Sequence, residues 1–215
     1  MNNKFDNMRI NSDGTVSKGY IPLGMEKLNT APSSIRFSNI SDSVRHVAFY
    51  QSNSEIDSSK AVAISSIEAI AQWFLYHCSV SNKKLQKLCY YAYCWFIVFH
   101  NDVEAANDGR ITTLCEDKFQ AWIHGTVCPK LYYKYRENGW ADIPQSKLKP
   151  QLTQDIESLL EQVLDAYGGF SADQLEALSH TEKPWQNARR GIGAGEACTN
   201  EISTYDILLY YSSLR

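Results

Sequence analysis

The chain lacks a long apolar run. Its most apolar-rich stretch is LQKLCYYAYCWFIVFH, Leu85 to His100, whereas a membrane-spanning helix needs roughly 20 consecutive apolar residues. Asn82, Lys83, Lys84, Gln86 and Lys87 crowd one end of it, and His100, Asn101 and Asp102 close the other. About a dozen apolar positions remain, which suits a buried core helix and excludes a span. An excess of one charge is also missing. A net charge of -3 with 21% charged residues lacks the surplus of Lys and Arg that a general nucleic-acid surface shows, so nucleic acid is not an expected partner. The N-terminal MNNKFDNMRINSDG has no apolar core after its positive charges and no transit-peptide pattern. The expected location is therefore the cytoplasm. There, Cys78, Cys89, Cys94, Cys115, Cys128 and Cys198 are read as reduced thiols rather than a disulfide framework.

Chemical motifs are equally scarce. A structural zinc site shows closely spaced ligand pairs such as C-x2-C or H-x3-H, and neither occurs. His124 with Cys128 is the best-spaced ligand pair, but no second pair stands near it. Cys128 directly precedes Pro129 at an expected helix start, where the positive dipole end can lower a thiol pKa; the alternative is a small residue packed there. Gly191, Gly193 and Gly195 form G-x-G-x-G without a preceding strand or a following Lys-Ser or Lys-Thr, which reads as a loop rather than a phosphate cradle. Arg189 and Arg190 beside it read as a solvated helix end. The acidic pairs Asp102 with Glu104 and Glu116 with Asp117 read as surface charge. No catalytic, cofactor-binding or metal-binding residue is assigned, and a non-enzymatic protein is expected.

What the sequence does contain is two regions of different punctuation. Residues 1–60 are polar, rich in Ser and Asn, and broken by Gly14, Gly19, Pro22, Gly24 and Pro32. Two short runs, Ile35 to Ile40 and Val44 to Tyr50, are candidate strands in this arm. Residues 61–215 carry helix signals. Ser65 with Glu68 forms a capping-box pattern ahead of Ile67, Ile70, Ala71, Phe74, Leu75 and Cys78 at helical spacing. Ser81 or Asn82 caps a second helix reaching about Phe99. Because its apolar residues occupy nearly every face, neighbours must bury it on several sides.

Leu114 to Val127 reads as extended. Pro129 opens a helix ending near Gly139, with Leu131, Tyr132 and Tyr135 expected on its inner stripe. Thr153 opens another through Tyr167, stopped by Gly168 or Gly169 as a C′ glycine. Ser171 with Gln174 caps a shorter one, and Ser203 or Thr204 caps the last. The expected architecture is mainly α, a compact multi-helix domain around the central buried helix, preceded by the arm.

Three ordered blocks resemble a known family. Leu85, Gln86, Lys87, Leu88, Tyr90 and Tyr91 are similar to its L-Q-K-L-x-Y-Y helix. Phe119, Ala121, Trp122, His124, Gly125, Val127 and Pro129, continued by Leu131 and Tyr132, are similar to its F-x-A-W-x-x-G-P-V-x-P segment. His180, Glu182, Pro184 and Trp185 are similar to its late H-x-x-x-P-W element. This is the Panacea domain, a phage-associated family that includes SocA-like antitoxins. The resemblance covers about Ile64 to Tyr211, and residues 1–60 lie outside it. One departure is visible: the family's G-P-V reads Gly125, Thr126, Val127 here, which restores a backbone donor and frees φ at the middle position.

The resemblance implies an antitoxin that binds a cognate toxin encoded nearby and holds it inactive. It also leaves open delivery of that toxin to a protease as an adaptor, or DNA-binding autoregulation. It supplies no catalytic residue and no oligomeric state. Trp122, Trp185, Leu85, Leu88 and Tyr90 are types that mostly stabilise cores, and Gly125 and Pro129 are expected to set backbone geometry. Gln86 and Lys87 are the odd pair. In an apolar helix they either face solvent at the first turn or fix a neighbouring segment by hydrogen bonds, and the second is preferred.

Overall fold

A computed structural model describes residues 65–104 and 111–214. The arm of residues 1–60, with its two candidate strands, lies outside the described residues. Those described form seven α-helices, two two-stranded antiparallel pairs and one 3-10 turn. No described helix is long and apolar enough to cross a membrane.

Helix α1 spans Ile67–His77. Its N-cap is Ser66, whose side chain accepts from the Ala69 N–H, and not Ser65 as the capping-box spacing predicts. The strand β1, Val80–Ser81, runs directly into α2, Asn82–His100. Ser81 caps α2 by accepting from the Lys84 N–H, which settles the choice between Ser81 and Asn82. Every side chain of α2 from Leu85 to Val98 is buried.

A chain with apolar side chains at nearly all angular positions can satisfy them only at the centre of a bundle. Accordingly, α2 is flanked by α1, by α3 (Pro129–Tyr135), by α4 (Gln154–Tyr167), by α5 (Ala172–Thr181) and by α7 (Thr204–Ser212). Each large side chain so enclosed contributes about 1.5–3 kcal/mol.

The extended segment folds as a hairpin. Strand β2, Gln120–Trp122, pairs with β3, Gly125–Val127, in the register Gln120↔Val127, Ala121↔Thr126, Trp122↔Gly125. A third line of backbone runs beside it: the Ala121 N–H donates to the Asn200 carbonyl, and the Ile202 N–H to that of Phe119. Past α3, a 3-10 turn at Arg136–Asn138 leads to β4, Asp142–Ile143, which pairs with β1.

The predicted capping box at Ser171 is present in both halves. Ser203, rather than Thr204, caps α7, and Thr153 caps α4. The stop of α4 differs from expectation. Gly168 sits at φ -64, not in the left-handed region, and the requirement there is space: a Cβ would lie 2.4 Å from the Leu164 carbonyl oxygen. A short helix that the sequence reading missed, α6 at Lys183–Ala188, begins with Pro184 in its first turn.

Candidate partner-binding site

The three motif blocks meet at one end of α2. The polar pair on its first turns is turned inward and holds backbone. The Gln86 Oε1 accepts from the Cys128 N–H at 2.9 Å, while its Nε2 donates to Asn82 Oδ1 at 3.1 Å. The Lys87 Nζ donates to the carbonyls of His124, at 2.8 Å, and Thr126, at 2.9 Å. Of the two arrangements open to this pair, the structure holds the second: Gln86 and Lys87 latch the hairpin and the start of α3 from behind.

Lys87 has no solvent exposure. Burial pushes its pKa down to about 7, against the opposing pull of Glu176. A neutral amine still carries two N–H groups, so both carbonyls can be served in either charge state. Gly125 makes room for this latch. It adopts φ +91, and a Cβ there would lie 2.7 Å from Ser179 Oγ and 2.8 Å from Lys87 Nζ. Conformation and space both require glycine at this position.

The late block braces the other strand. Trp185 donates from Nε1 to the Trp122 carbonyl at 3.1 Å, and its ring stacks on His180 at 4.0 Å. Burial lowers the His180 pKa to about 4, partly opposed by Glu176. Arg189 is buried, not solvated as its neighbourhood in the sequence suggests. It donates to the carbonyls of Ala121, Gly193 and Glu196, and its guanidinium lies 5.1 Å from the Trp185 ring centroid. The loop carrying Gly193 needs an internal cation to hold its carbonyls, which is why one arginine turns in while Arg190 stays exposed.

Glu182 reaches the core beside α2, where both carboxylate oxygens accept from tyrosine hydroxyls, Tyr91 at 3.2 Å and Tyr211 at 2.8 Å. Burial raises its pKa to about 8 despite those two donors. Pro184 is buried, and Leu85, Leu88 and Tyr90 lie wholly inside.

The candidate reactive groups come apart. The Cys128 thiol is buried, and burial raises its pKa in spite of the helix-start N–H groups around it; the expected activation by the helix end is outweighed by desolvation. His124 points outward to Glu176, with Nδ1 3.3 Å from Oε1, so it does not share a site with Cys128. Among the described residues no group of three or more His, Cys, Asp or Glu side chains is placed to hold a metal ion. All six cysteines are free thiols.

The front of the same unit is unlike its back. Trp122 is half-buried and packs edge to face on Tyr132, with centroids 4.9 Å apart. Tyr132 itself is exposed, contrary to its expected place on the inner stripe of α3, because only Leu131 of that helix is buried. Tyr133, Lys134 and Arg136 are exposed beside it, as is Ile123 at the hairpin tip. Sequence reasoning missed this outward face; the run Tyr132-Tyr133-Lys134-Tyr135-Arg136, aromatic and cationic without a carboxylate, was the available signal.

The arrangement thus places the motif residues where they fix backbone, and an aromatic surface in front of them. Comparison with known proteins agrees with the motif blocks. Residues 85–186 match the family described as Antitoxin SocA-like, Panacea domain. The curated protein named Antitoxin SocA, from Caulobacter vibrioides (strain NA1000 / CB15N), is 34% identical over 127 residues. That alignment covers 53% of this chain and spans 62% of the length of the relative. No solved structure matches the chain.

Proposed function

Residues 85–186 of this chain are a SocA-like Panacea domain, and from that premise we propose that the protein is an antitoxin which neutralises a toxin encoded nearby by binding it directly. The observation that carries the reading is the family match over the whole latch, from Leu85 to the Trp185 brace, supported by a relative whose name is Antitoxin SocA. In this reading the protein acts as a binding partner and not as an enzyme. The buried cations support a surface rather than a reaction: Lys87 in the motif, and Arg189 just past it, end on backbone carbonyls. Such a role asks only for a matching surface with a few large residues in a desolvated centre.

Co-expression with the neighbouring reading frame tests it. That frame alone should arrest growth, and the full chain should restore it. A neighbour that is harmless alone, or that stays toxic beside this protein, overturns the reading. Following the amount of toxin in the same cells separates the mechanisms. Direct neutralisation leaves the toxin level unchanged, whereas delivery to a protease lowers it.

A further inference from the structure

Helix α3 is short and buries a single side chain, Leu131. A helix so placed normally turns solvated residues outward, yet this one shows rings. Tyr133 is 57% exposed, and its ring packs edge to face on Tyr132 with centroids 5.5 Å apart. The Arg136 guanidinium lies 5.6 Å from the Tyr133 centroid. Tyr, Trp and Arg are the residues enriched where proteins meet, and Lys-rich solvated faces are not built this way.

The charge is as local as the rings. From Pro129 to Arg136 the chain carries Lys130, Lys134 and Arg136 and no carboxylate, while its formal net charge is -3. Lys130 is neutralised by Glu68 and Asp117. Among the described residues Lys134 and Arg136 form no ion pair; each lies over a tyrosine ring instead. Glu137 follows Arg136 in the chain and the Lys134 charge acts on Glu68, but neither carboxylate is ion-paired to these two cations, which stand beside exposed rings and complement an acidic surface.

Behind this face, Gln86 fixes the N–H of Cys128 at the helix start and Lys87 fixes the hairpin. The face is therefore held before any partner arrives, which lowers the ordering cost of binding.

We propose that the outward face of α3 is where the toxin docks, and that the docking segment of the toxin is acidic, with carboxylates placed against Lys134 and Arg136 and an apolar side chain against Tyr132 and Tyr133. The proposal rests on the antitoxin reading and adds to it a surface and the chemistry of the partner.

The test uses the full chain and the purified product of the neighbouring reading frame. Two double variants are compared with wild type, Tyr132→Ala with Tyr133→Ala, and Lys134→Glu with Arg136→Glu. Tyr205→Ala, at an exposed ring on α7 rather than on α3, is the control. Each double variant should bind at least about tenfold more weakly and lose growth rescue. The loss from charge reversal should shrink as salt rises, and far-ultraviolet circular dichroism should match wild type.

If wild type rescues and both double variants rescue and bind as well, the antitoxin reading stands and the surface is wrong. Equal loss in Tyr205→Ala also overturns the assignment. Double variants that keep toxin binding but lose self-association, or lose retention of duplex nucleic acid, assign the face to another occupant. A wild type that does not rescue removes the reading and the surface together.

Discussion

The back and the front of one small unit, the hairpin with α3, are built from similar residue types put to opposite uses. Lys87 at the back is wholly buried and bonded to two backbone carbonyls. Lys134 at the front is exposed and lies 5.6 Å from the Tyr135 ring centroid. Likewise Arg189 is buried with three carbonyl partners, whereas Arg136 stands over a surface tyrosine. A hairpin of two three-residue strands has little ladder of its own, so its unpaired carbonyls have to be met from elsewhere. The difference teaches that the buried cations, Lys87 and Arg189, serve the backbone, and under the proposal the partner meets the rings and cations in front. Changes at the back should alter stability, and changes at the front should alter affinity alone.

The strongest way to break that division is to fill the space the latch uses. Gly125→Ala forces a Cβ to within 2.7 Å of Ser179 Oγ and 2.8 Å of Lys87 Nζ at φ +91. Strain and displaced hydrogen bonds should together cost about 3–4 kcal/mol, read as a lowered urea midpoint with an unchanged slope. Lys87→Met should cost somewhat less, about 2–3 kcal/mol, because two carbonyls lose their donor while the burden of a buried cation is removed. Equal urea midpoints for Lys87→Met and wild type would show that the hairpin stands without its latch.

The bundle was legible in the sequence because helical signals are local. The caps at Ser81, Thr153 and Ser171 and the all-round apolar character of α2 sit within a turn or two of the residues they govern. The motif blocks, far apart in the chain, come together in the fold: Gln86, Lys87, Gly125 and Trp185 converge on the hairpin.

What could not be read was direction. Tyr132 was expected inward because helical spacing relates it to Leu131 and Tyr135, but only one side chain of that short helix finds a neighbour deep enough to bury it. Arg189 was expected outward because its carbonyl partners, Ala121 above all, are contributed by distant segments. Glu182 carried no local sign of burial either; its tyrosine partners come from α2 and α7.

Glu182 offers a smaller effect with a defined sign. Its folded pKa of about 8 exceeds the ordinary value of 4.5, so between those values the folded protein holds a proton that the unfolded chain releases. Its contribution to stability is then present at low pH and is lost as pH rises towards 8. Measured against Glu182→Gln, the stability of wild type should fall by about 1.4 kcal/mol over the unit from pH 6 to pH 7. Lys87 has the opposite sign and a later window: its lowered folded pKa makes stability rise with pH above about 7. A flat difference between wild type and Glu182→Gln across that range would mean that the carboxyl titrates near its ordinary value, and that its tyrosine cage compensates for burial.

The smallest expected effect on stability belongs to the front, and it sharpens the comparison most. Tyr133 is 57% exposed, and its ring meets Tyr132 and the Arg136 guanidinium. Tyr133→Ala removes no buried contact and leaves no buried polar group unpaired, so the thermal midpoint should move by no more than about 0.5 kcal/mol equivalent. A larger loss would mean that the ring supports α3 itself, and the face would then be structural like the latch behind it. Near-neutral stability together with weakened toxin binding is the combination expected of a contact residue, because a side chain whose contacts in its own fold lie on the surface lowers affinity chiefly through the partner it meets.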